Sequence, residues 1–400
     1  MGYESKVTPK KMQISIPSYF RCPISSDLMK DPVTLCTGNT YDRESIQRWL
    51  GDGNNFCPVT MKNLETQELI PNHNLRRLIQ AWCVANQSEG VERIPTPKQP
   101  LERPQVDLLL RDIVSPKRRL QAFEDLKSKA KESEENRRRI VEGGAVNVLA
   151  SIVASNNPET RDFNYSACEE AVGTLALLPI DENDRKMLTQ SKLLSVLSLV
   201  LCTGSLQGKR NVASLLEILA TNRDECIVIG SVEGLIGSLV QLLEEDLHRT
   251  AVKTCLRSLL AICSPLRNRV KTVEAGAVKL LVELLPEAER GTAELTLAVL
   301  ELLCRCAEGR VAVSEHALAI PVLARKIFRV SDLATDSAVV TLWAICKYSP
   351  DKKIQRRVIE SGVLSKLFFF VQTDYKSRIK LKAADLLRIL HNACRDQVAA

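Results

Sequence analysis

The feature that most constrains the fold is a short phrase that recurs through the last three quarters of the chain. It consists of a polar cluster, a brief apolar stretch, a small residue that is often glycine, and an amphipathic run. The clearest copies cover residues 136–146, 268–278 and 355–364, and three weaker copies lie between them. Helical repeat arrays have a period of about 40 to 47 residues. Six positions align as equivalents at intervals of 40 to 48 residues: Gly144, Lys192, Gly234, Gly276, His316 and Gly362.

The run before each copy carries apolar residues at helical spacing. Cys168, Ala171 and Leu175, for example, are separated by three and four positions, which places them on one stripe of a helix. A single pair of such helices buries too little surface to be stable alone, so the pattern predicts a stacked array of five or six units. The recurring glycine predicts a tight corner between helices. Over residues 105–395 the period and the Gly-Ala-Val phrase resemble armadillo repeats.

The first quarter of the chain has a different composition. Eleven of the 17 prolines lie in residues 1–116, and seven of the 17 aromatic residues lie in residues 1–85. A proline-rich stretch separates this part from the repeats and predicts a stiff, extended linker. We therefore predict a small domain at 16–87, a linker at 88–104 and an all-α superhelix at 105–395.

The small domain alternates turns with apolar anchors. Gly38-Asn39 predicts a hairpin turn, and Asp42 predicts the N-cap of a helix that carries Ile46, Trp49 and Leu50. A second helix is predicted after Asn72. The expected order is loop, hairpin, helix, loop, helix.

Three motifs of this domain, Cys22-Pro23-Ile24, Asp31-Pro32-Val33 and Cys57-Pro58-Val59-Thr60, resemble those of a U-box. The whole chain resembles the plant U-box/armadillo-repeat ubiquitin ligase family. The expected fold is therefore an α+β, zinc-free, RING-like U-box followed by an all-α armadillo-repeat solenoid. The nearest ligand types, Cys22, Cys36, Cys57 and His73, are 14, 21 and 16 residues apart, unlike the close pairs of structural zinc sites. We predict no metal and no cofactor.

The resemblance implies a docking role and no covalent catalytic residue. It implies that the U-box binds a ubiquitin-charged conjugating enzyme and positions the thioester for attack by a substrate lysine. Carried over to this sequence, the docking surface is Ile24, Trp49, Pro58 and Val59. Many such ligases carry a basic residue at the position of Met61, whose side chain cannot donate a hydrogen bond; neighbouring Lys62 is an alternative donor.

The armadillo array is expected to hold the protein substrate. Candidate groove residues are polar positions on the helices that precede the repeated phrase: Arg210, Asn211, Arg249, Lys253 and Arg257. An ordinary solvent-exposed face is the alternative interpretation of these positions. The substrate, the conjugating enzyme and the pairing of two U-boxes into a homodimer stay open.

Charge and cysteine content narrow the setting. The net charge of +7 over 400 residues is too dilute to require a nucleic-acid or membrane partner, and 13 scattered cysteines indicate a reducing compartment. No apolar run is long enough for a transmembrane segment. We expect a cytoplasmic protein, also nuclear in the wider interpretation, which by family resemblance acts in plant stress or immune signalling.

Two rival interpretations remain at this point. The first is a non-catalytic armadillo adaptor with a weakened U-box, which Met61 supports. The second is a nuclear-transport or lipid-associated armadillo protein that uses the basic runs 117–119 and 137–139. Trp343 is the last tryptophan and the only one after Trp82, so the tryptophan ladder of nuclear-import receptors is missing from the sequence.

Overall fold

A computed structural model of the chain describes residues 16–51, 54–87, 101–155, 164–245, 249–349, 352–372 and 379–398. The chain divides between Gln99 and Pro100 into two compact units. Most of the predicted linker, residues 88–100, lies outside the described residues. Its last four residues correct the prediction, because Leu101 is buried in the helical unit and the first helix there begins at Arg103.

The first unit is built on a three-stranded antiparallel sheet. Strands β1 (Pro32–Thr34), β2 (Thr40–Asp42) and β3 (Ile70–Pro71) are arranged in the order β2-β1-β3. Val33 of the central strand pairs with Tyr41 on one side and with Pro71 on the other. Helices α1 (Arg43–Gly51) and α2 (His73–Ala85) follow β2 and β3, and a short 3₁₀ turn covers Ser18–Phe20.

Local sequence signals explain most of these elements. Gly38 has a φ of 80° in the hairpin turn, where the Leu35 N–H donates to the Asn39 carbonyl. The Asn72 side chain accepts from the Leu75 N–H and caps α2. The expected cap of α1 is wrong, because the Asp42 carboxylate instead accepts from the backbone N–H groups of Lys30 and Asp31 at 2.7 and 2.9 Å.

The second unit contains twenty helices within the described residues. They are α3 (Arg103–Val114), α4 (Arg119–Glu132), α5 (Glu134–Glu142), α6 (Ala145–Ser155), α7 (Tyr165–Leu175), α8 (Glu182–Leu188), α9 (Ser191–Thr203), α10 (Leu206–Leu219), α11 (Arg223–Ser231), α12 (Leu235–Glu245), α13 (Arg249–Ile262), α14 (Leu266–Glu274), α15 (Ala277–Leu284), α16 (Arg290–Leu303), α17 (Ala307–Glu315), α18 (Ala319–Lys326), α19 (Asp332–Tyr348), α20 (Lys352–Glu360), α21 (Val363–Gln372) and α22 (Lys380–Val398).

From α5 onward these helices form successive triplets. The third helices, α7, α10, α13, α16, α19 and α22, pack side by side, each against the next. We call them the third-helix layer. One continuous apolar core runs from Leu101 to Leu390, so each triplet buries its apolar stripe against its neighbours.

Four of the six aligned positions form the predicted corners. Gly144, Gly234, Gly276 and Gly362 have φ values between 73° and 85°, and each directly precedes the second helix of its triplet. A residue with a Cβ is strained in this left-handed region, which accounts for glycine there.

The two positions without glycine were misaligned. Lys192 lies inside α9, and His316 lies three residues before α18. The corner residues are Gln190 and Leu318, with ordinary φ values of −63° and −85°. With these two, the spacing between successive corners narrows to between 42 and 46 residues.

The polar cluster of the phrase joins neighbouring repeats. The buried Asn268 side chain donates to the Cys226 carbonyl of the preceding triplet at 2.7 Å and to the Ile262 carbonyl at 2.9 Å. Further along the same helix, the Lys271 ammonium donates to the Gly230 carbonyl at 2.6 Å. The Ile262 and Gly230 carbonyls lie in the last turns of α13 and α11, where a helix leaves its carbonyl groups without partners, whereas the Cys226 carbonyl lies within α11.

Each helix that the structure describes falls short of a membrane-spanning helix in length or in apolar character. None of the helices in the described ranges is by itself long and apolar enough to span a membrane. Helices α11 and α12 meet the criterion only when taken together, and they are bent by 85° at their junction.

The corner geometry yields a test with a matched control. Gly276 and Gly237 both have open space where a Cβ would stand, but only Gly276 has a positive φ. Gly276→Ala is expected to lower the free energy of unfolding by about 1 to 2 kcal/mol. Gly237→Ala, inside α12, is expected to raise it by up to about 1 kcal/mol, because alanine favours the helix. Urea unfolding followed by circular dichroism measures both, and equal effects would contradict the assigned corner.

Candidate functional site

The candidate site is built on two short loops of the first unit. In the first Cys-Pro loop, residues 22–27, the Cys22 N–H donates to the Asp27 carbonyl and the Ser26 N–H donates to the Cys22 carbonyl, both at 2.8 Å. Ser26 has a φ of 62°. The ring of backbone bonds fixes Ile24 at the centre of the loop.

The second Cys-Pro loop, residues 57–62, repeats this geometry. The Cys57 N–H donates to the Lys62 carbonyl and the Met61 N–H donates to the Cys57 carbonyl, again at 2.8 Å each. Met61 has a φ of 56°. Val59 therefore holds the same place relative to Cys57 as Ile24 does in its own loop.

The predicted docking residues differ in exposure. Val59 is 51% exposed, whereas Ile24 and Pro58 are half-buried. Ile24 and Trp49 both pack against the core of the first unit. Two of the four predicted docking residues are thus attached to this core, and Val59 is the most exposed of the four.

Trp49, one of the predicted docking residues, positions the second loop. Its indole N–H donates to the Phe56 carbonyl at 3.0 Å, and the two rings meet edge to face with centroids 5.3 Å apart. Because Phe56 directly precedes Cys57, this contact fixes the start of the second Cys-Pro loop. The side chain of Trp49 is half-buried, while Ile46 on the same helix is fully buried.

A cluster of donors surrounds the buried Cys57 sulfur. The Tyr41 hydroxyl lies 3.0 Å from the sulfur, the Thr37 hydroxyl donates to it at 3.3 Å and the Asn39 amide at 3.7 Å. Burial acts to raise the pKa of the Cys57 thiol, but hydrogen bonds from Thr37, Thr60 and Tyr41 outweigh it and lower the pKa to about 6. Hydrogen bonds to a sulfur thus support the loop.

The sulfur of Cys22 has a similar but weaker environment. The Asp42 N–H donates to it at 3.3 Å. Burial raises the pKa of this thiol, and the backbone N–H groups of Ser25, Asp42 and Ile24 lower it by more, so the net shift is downward. No three His, Cys, Asp or Glu side chains come together as a metal site anywhere in the part of the chain that the structure describes.

Sequence reasoning missed the partners of Cys57. Tyr41 is fully buried in β2, and its hydroxyl also accepts from the Val59 N–H at 3.3 Å. One phenol therefore joins the sheet to both the cysteine and the exposed valine of the second loop. The only sequence signal for this role was Tyr41 itself, a tyrosine that directly follows the polar turn 37–40.

Met61 stands 67% exposed beside this network. Its thioether offers no hydrogen-bond donor, as the sequence indicated. The neighbouring Lys62 is exposed, and its carbonyl closes the second loop. The second Cys-Pro loop thus has the same backbone hydrogen bonds as the first, although the side chain at position 61 is apolar.

The predicted groove residues lie on two adjacent helices of the third-helix layer, Arg210 and Asn211 on α10 and the other three on α13. Asn211 accepts from the Gln207 amide at 2.9 Å, and Lys253 forms an ion pair with Glu289. Arg257 is exposed. For Arg249 the structure describes the backbone, as the first residue of α13, and not the side chain. The five positions thus lie on two neighbouring helices, and their role in binding stays a prediction.

Comparisons with known proteins cover both units. A model for the U-box domain matches residues 16–88, and a model for the plant U-box protein ARM repeat region matches residues 105–400. U-box domain-containing protein 25 of Arabidopsis thaliana is 38% identical, over 98% of this chain and 94% of that protein. E3 ubiquitin-protein ligase PUB23 of the same plant is 36% identical, over 96% of this chain and 95% of that protein. A designed armadillo repeat protein aligns with a TM-score of 0.51 at 20% identity, covering 60% of this chain and 99% of that chain, which shows the fold alone.

The donor cluster around Cys57 predicts a titration in the neutral range. Carbon-13 NMR of cysteine Cβ atoms should show Cys57 ionising near pH 6, while Cys168, whose pKa burial raises to about 11, stays protonated at pH 8. Cys57→Ser assigns the resonance. Because the folded-state pKa lies below that of an unfolded thiol, about 8.5, Cys57 should add stability as the pH rises from about 6 to 9 and add none below. A Cys57 midpoint above pH 8 would contradict the assigned hydrogen bonding.

Proposed function

Because the chain belongs to the family of plant U-box proteins with armadillo repeats, we propose that it is a ubiquitin-protein ligase. Two relatives that match most of the chain, PUB22 and PUB23 of Arabidopsis thaliana, carry the name E3 ubiquitin-protein ligase. Both units that such a ligase combines are present in one chain. The observation that carries the proposal is the exposed Val59 on a loop that hydrogen bonds hold rigid.

The proposed mechanism is positioning. The two Cys-Pro loops offer Ile24 and Val59 to a ubiquitin-charged conjugating enzyme, and Pro58 on the second loop and Trp49 on α1 complete the proposed apolar surface. Holding two reactants in a productive orientation lowers a barrier without a nucleophile in the ligase. A small apolar surface suits a weak and transient partner, which must leave after each transfer.

The armadillo array is proposed to hold the protein whose lysine attacks the thioester. The third-helix layer carries polar side chains, among them the half-buried Asn211 on α10 and the exposed Arg257 on α13. Pairing of two U-boxes, a cytoplasmic or nuclear location and a role in plant stress or immune signalling stay predictions from the resemblance.

The two rival functions fare differently. A non-catalytic adaptor is favoured by one observation, the donor-free Met61 on the second loop. A transport or lipid-binding protein that relies on the basic runs is disfavoured, because Arg137 and Arg139 donate to the Ala130 and Leu101 carbonyls. Arg119 likewise donates to the carbonyl of Ile113. These three guanidinium groups are therefore bound to backbone carbonyls of the helical unit and do not form a free basic patch.

A matched pair of valines tests the docking surface. Val59 on the second loop and Val84 on α2 are exposed to nearly the same extent, 51% and 53%. Val59→Asp is expected to slow discharge of ubiquitin from a precharged conjugating enzyme by about tenfold or more, equivalent to about 1.4 kcal/mol. Val84→Asp should discharge at the wild-type rate, and a zinc chelator should change neither.

Equal rates of ubiquitin discharge for Val59→Asp and Val84→Asp would contradict a role of the second Cys-Pro loop in docking. Full-length protein is used throughout, and the circular dichroism spectrum of each variant confirms that it has folded.

Met61→Arg separates the ligase from the adaptor. Arginine restores a side chain with five N–H donors at an exposed position and keeps an L-residue in the same backbone conformation. We expect discharge to accelerate several-fold over wild type, while Met61→Leu has no effect. If the wild-type protein were inactive with every conjugating enzyme while Met61→Arg was active, the adaptor function would be supported instead.

A further inference from the structure

A cleft of about 320 Å³ lies near the end of the array, on the third-helix layer. Residues from α16, α17, α19 and α22 line it, so three successive repeats contribute. Trp343, the last tryptophan of the chain, is one of the lining residues. None of the predicted docking or groove residues lines this cleft.

Two aromatic rings carry cations on their faces inside the cleft. The Arg310 guanidinium lies 4.7 Å from the centre of the Tyr348 ring, and the Lys382 ammonium lies 5.0 Å from the centre of the Trp343 indole. The two rings meet edge to face at 5.8 Å. Such stacking holds long cationic side chains against an apolar wall and limits their freedom.

The Trp343 ring is itself fixed from behind. Its indole N–H donates to the Asp385 carboxylate at 2.9 Å, and Lys347 and Arg388 bind the same carboxylate at 2.7 Å each. These three hydrogen bonds hold the pKa of Asp385 well below its usual range. The negative charge of Asp385 is thus already compensated by two cations of its own.

The cleft has an excess of positive charge. Its one lining carboxylate, Glu301, accepts from Ser337 at 2.9 Å and pairs with Arg305 at 3.2 Å. Arg310 donates to the Cys304 carbonyl, and across the described ranges neither Arg310 nor Lys382 has a carboxylate partner. Two half-buried cations of the cleft, Arg310 and Lys382, therefore have no carboxylate partner of their own.

We propose that this cleft binds an acidic side chain of the protein partner, with its anionic oxygens between Lys382 and Arg310 and its neighbouring residues against Trp343 and Tyr348. Glutamate, aspartate and a phosphorylated residue share this chemistry. The volume equals that of about ten water molecules at about 30 Å³ each, enough for a few side chains. The carboxylate of Glu301, which lines the same cleft, disfavours a long polyanion such as nucleic acid. The proposal rests on the proposed function in that the partner is the substrate.

The test uses the full-length protein and a fluorescein-labelled glycine-serine decapeptide that carries a central pair of glutamates. Fluorescence anisotropy should show binding to wild type that weakens with salt, and no binding of the glutamine counterpart. Lys382→Glu should weaken binding of the glutamate peptide by about tenfold or more. Lys279→Glu, the same charge reversal at an exposed position on α15, should leave it within about twofold of wild type.

Further arms identify the anion and separate this proposal from the ligase proposal. A phosphoserine peptide that binds in the same Lys382-dependent way supports the cleft with phosphate as the anion. Equal binding to wild type and Lys382→Glu, equal binding of glutamate and glutamine peptides, or tighter Lys382-dependent binding of a single-stranded oligonucleotide would each overturn the proposal. Lys382→Glu should discharge ubiquitin at the wild-type rate, because Lys382 lies outside the U-box. If wild-type protein bound the peptide but failed to discharge ubiquitin, the ligase proposal would be contradicted and the proposed binding cleft would be retained.

Discussion

The hydrogen bonds to the buried Cys57 sulfur are the interaction on which the proposed site depends. A loop of six residues with a left-handed residue near its end has little apolar surface of its own, so something must hold its ends together. Here Tyr41, Thr37 and Asn39 bind the sulfur, and Tyr41 also binds the Val59 N–H. The exposure of an apolar side chain at Val59 is tolerated because the backbone beneath it is fixed. A docking surface of this kind needs rigidity more than it needs a reactive group.

The helical unit solves a different problem with a repeated device. Each triplet must turn sharply between its first and second helices and must also satisfy the carbonyls at its helix ends. Glycine at the corner meets the first need, and buried amide and basic side chains such as Asn268 and Lys271 meet the second. These side chains reach carbonyls of the preceding triplet. The same hydrogen bonds therefore also hold neighbouring repeats together. Arg310 also binds a helix-end carbonyl, that of Cys304, and its guanidinium in addition stacks on the Tyr348 ring and lines the cleft.

Much of this could be predicted from the sequence wherever the signal is local. The hairpin at Gly38, the cap at Asn72 and the corner at Gly276 each depend on the conformational preference of a single residue. Asp42 was assigned wrongly because capping competes with the N–H groups of a loop that only the tertiary fold brings near. The corner assigned to Lys192 was displaced for a related reason: without a left-handed residue, no single amino acid marks the turn. The partners of Cys57 are 16 to 20 residues away, beyond the reach of any local pattern.

The proposed function requires the two Cys-Pro loops, which share one backbone geometry, to form together the surface that meets the conjugating enzyme. The most direct measurement is NMR of isotope-labelled full-length protein titrated with an unlabelled conjugating enzyme. We expect the largest chemical-shift changes at Ile24, at Val59 and at their loop neighbours, in fast exchange, and no changes in the third-helix layer. Changes confined to the helical unit, or absent from both loops at saturating enzyme, would contradict it.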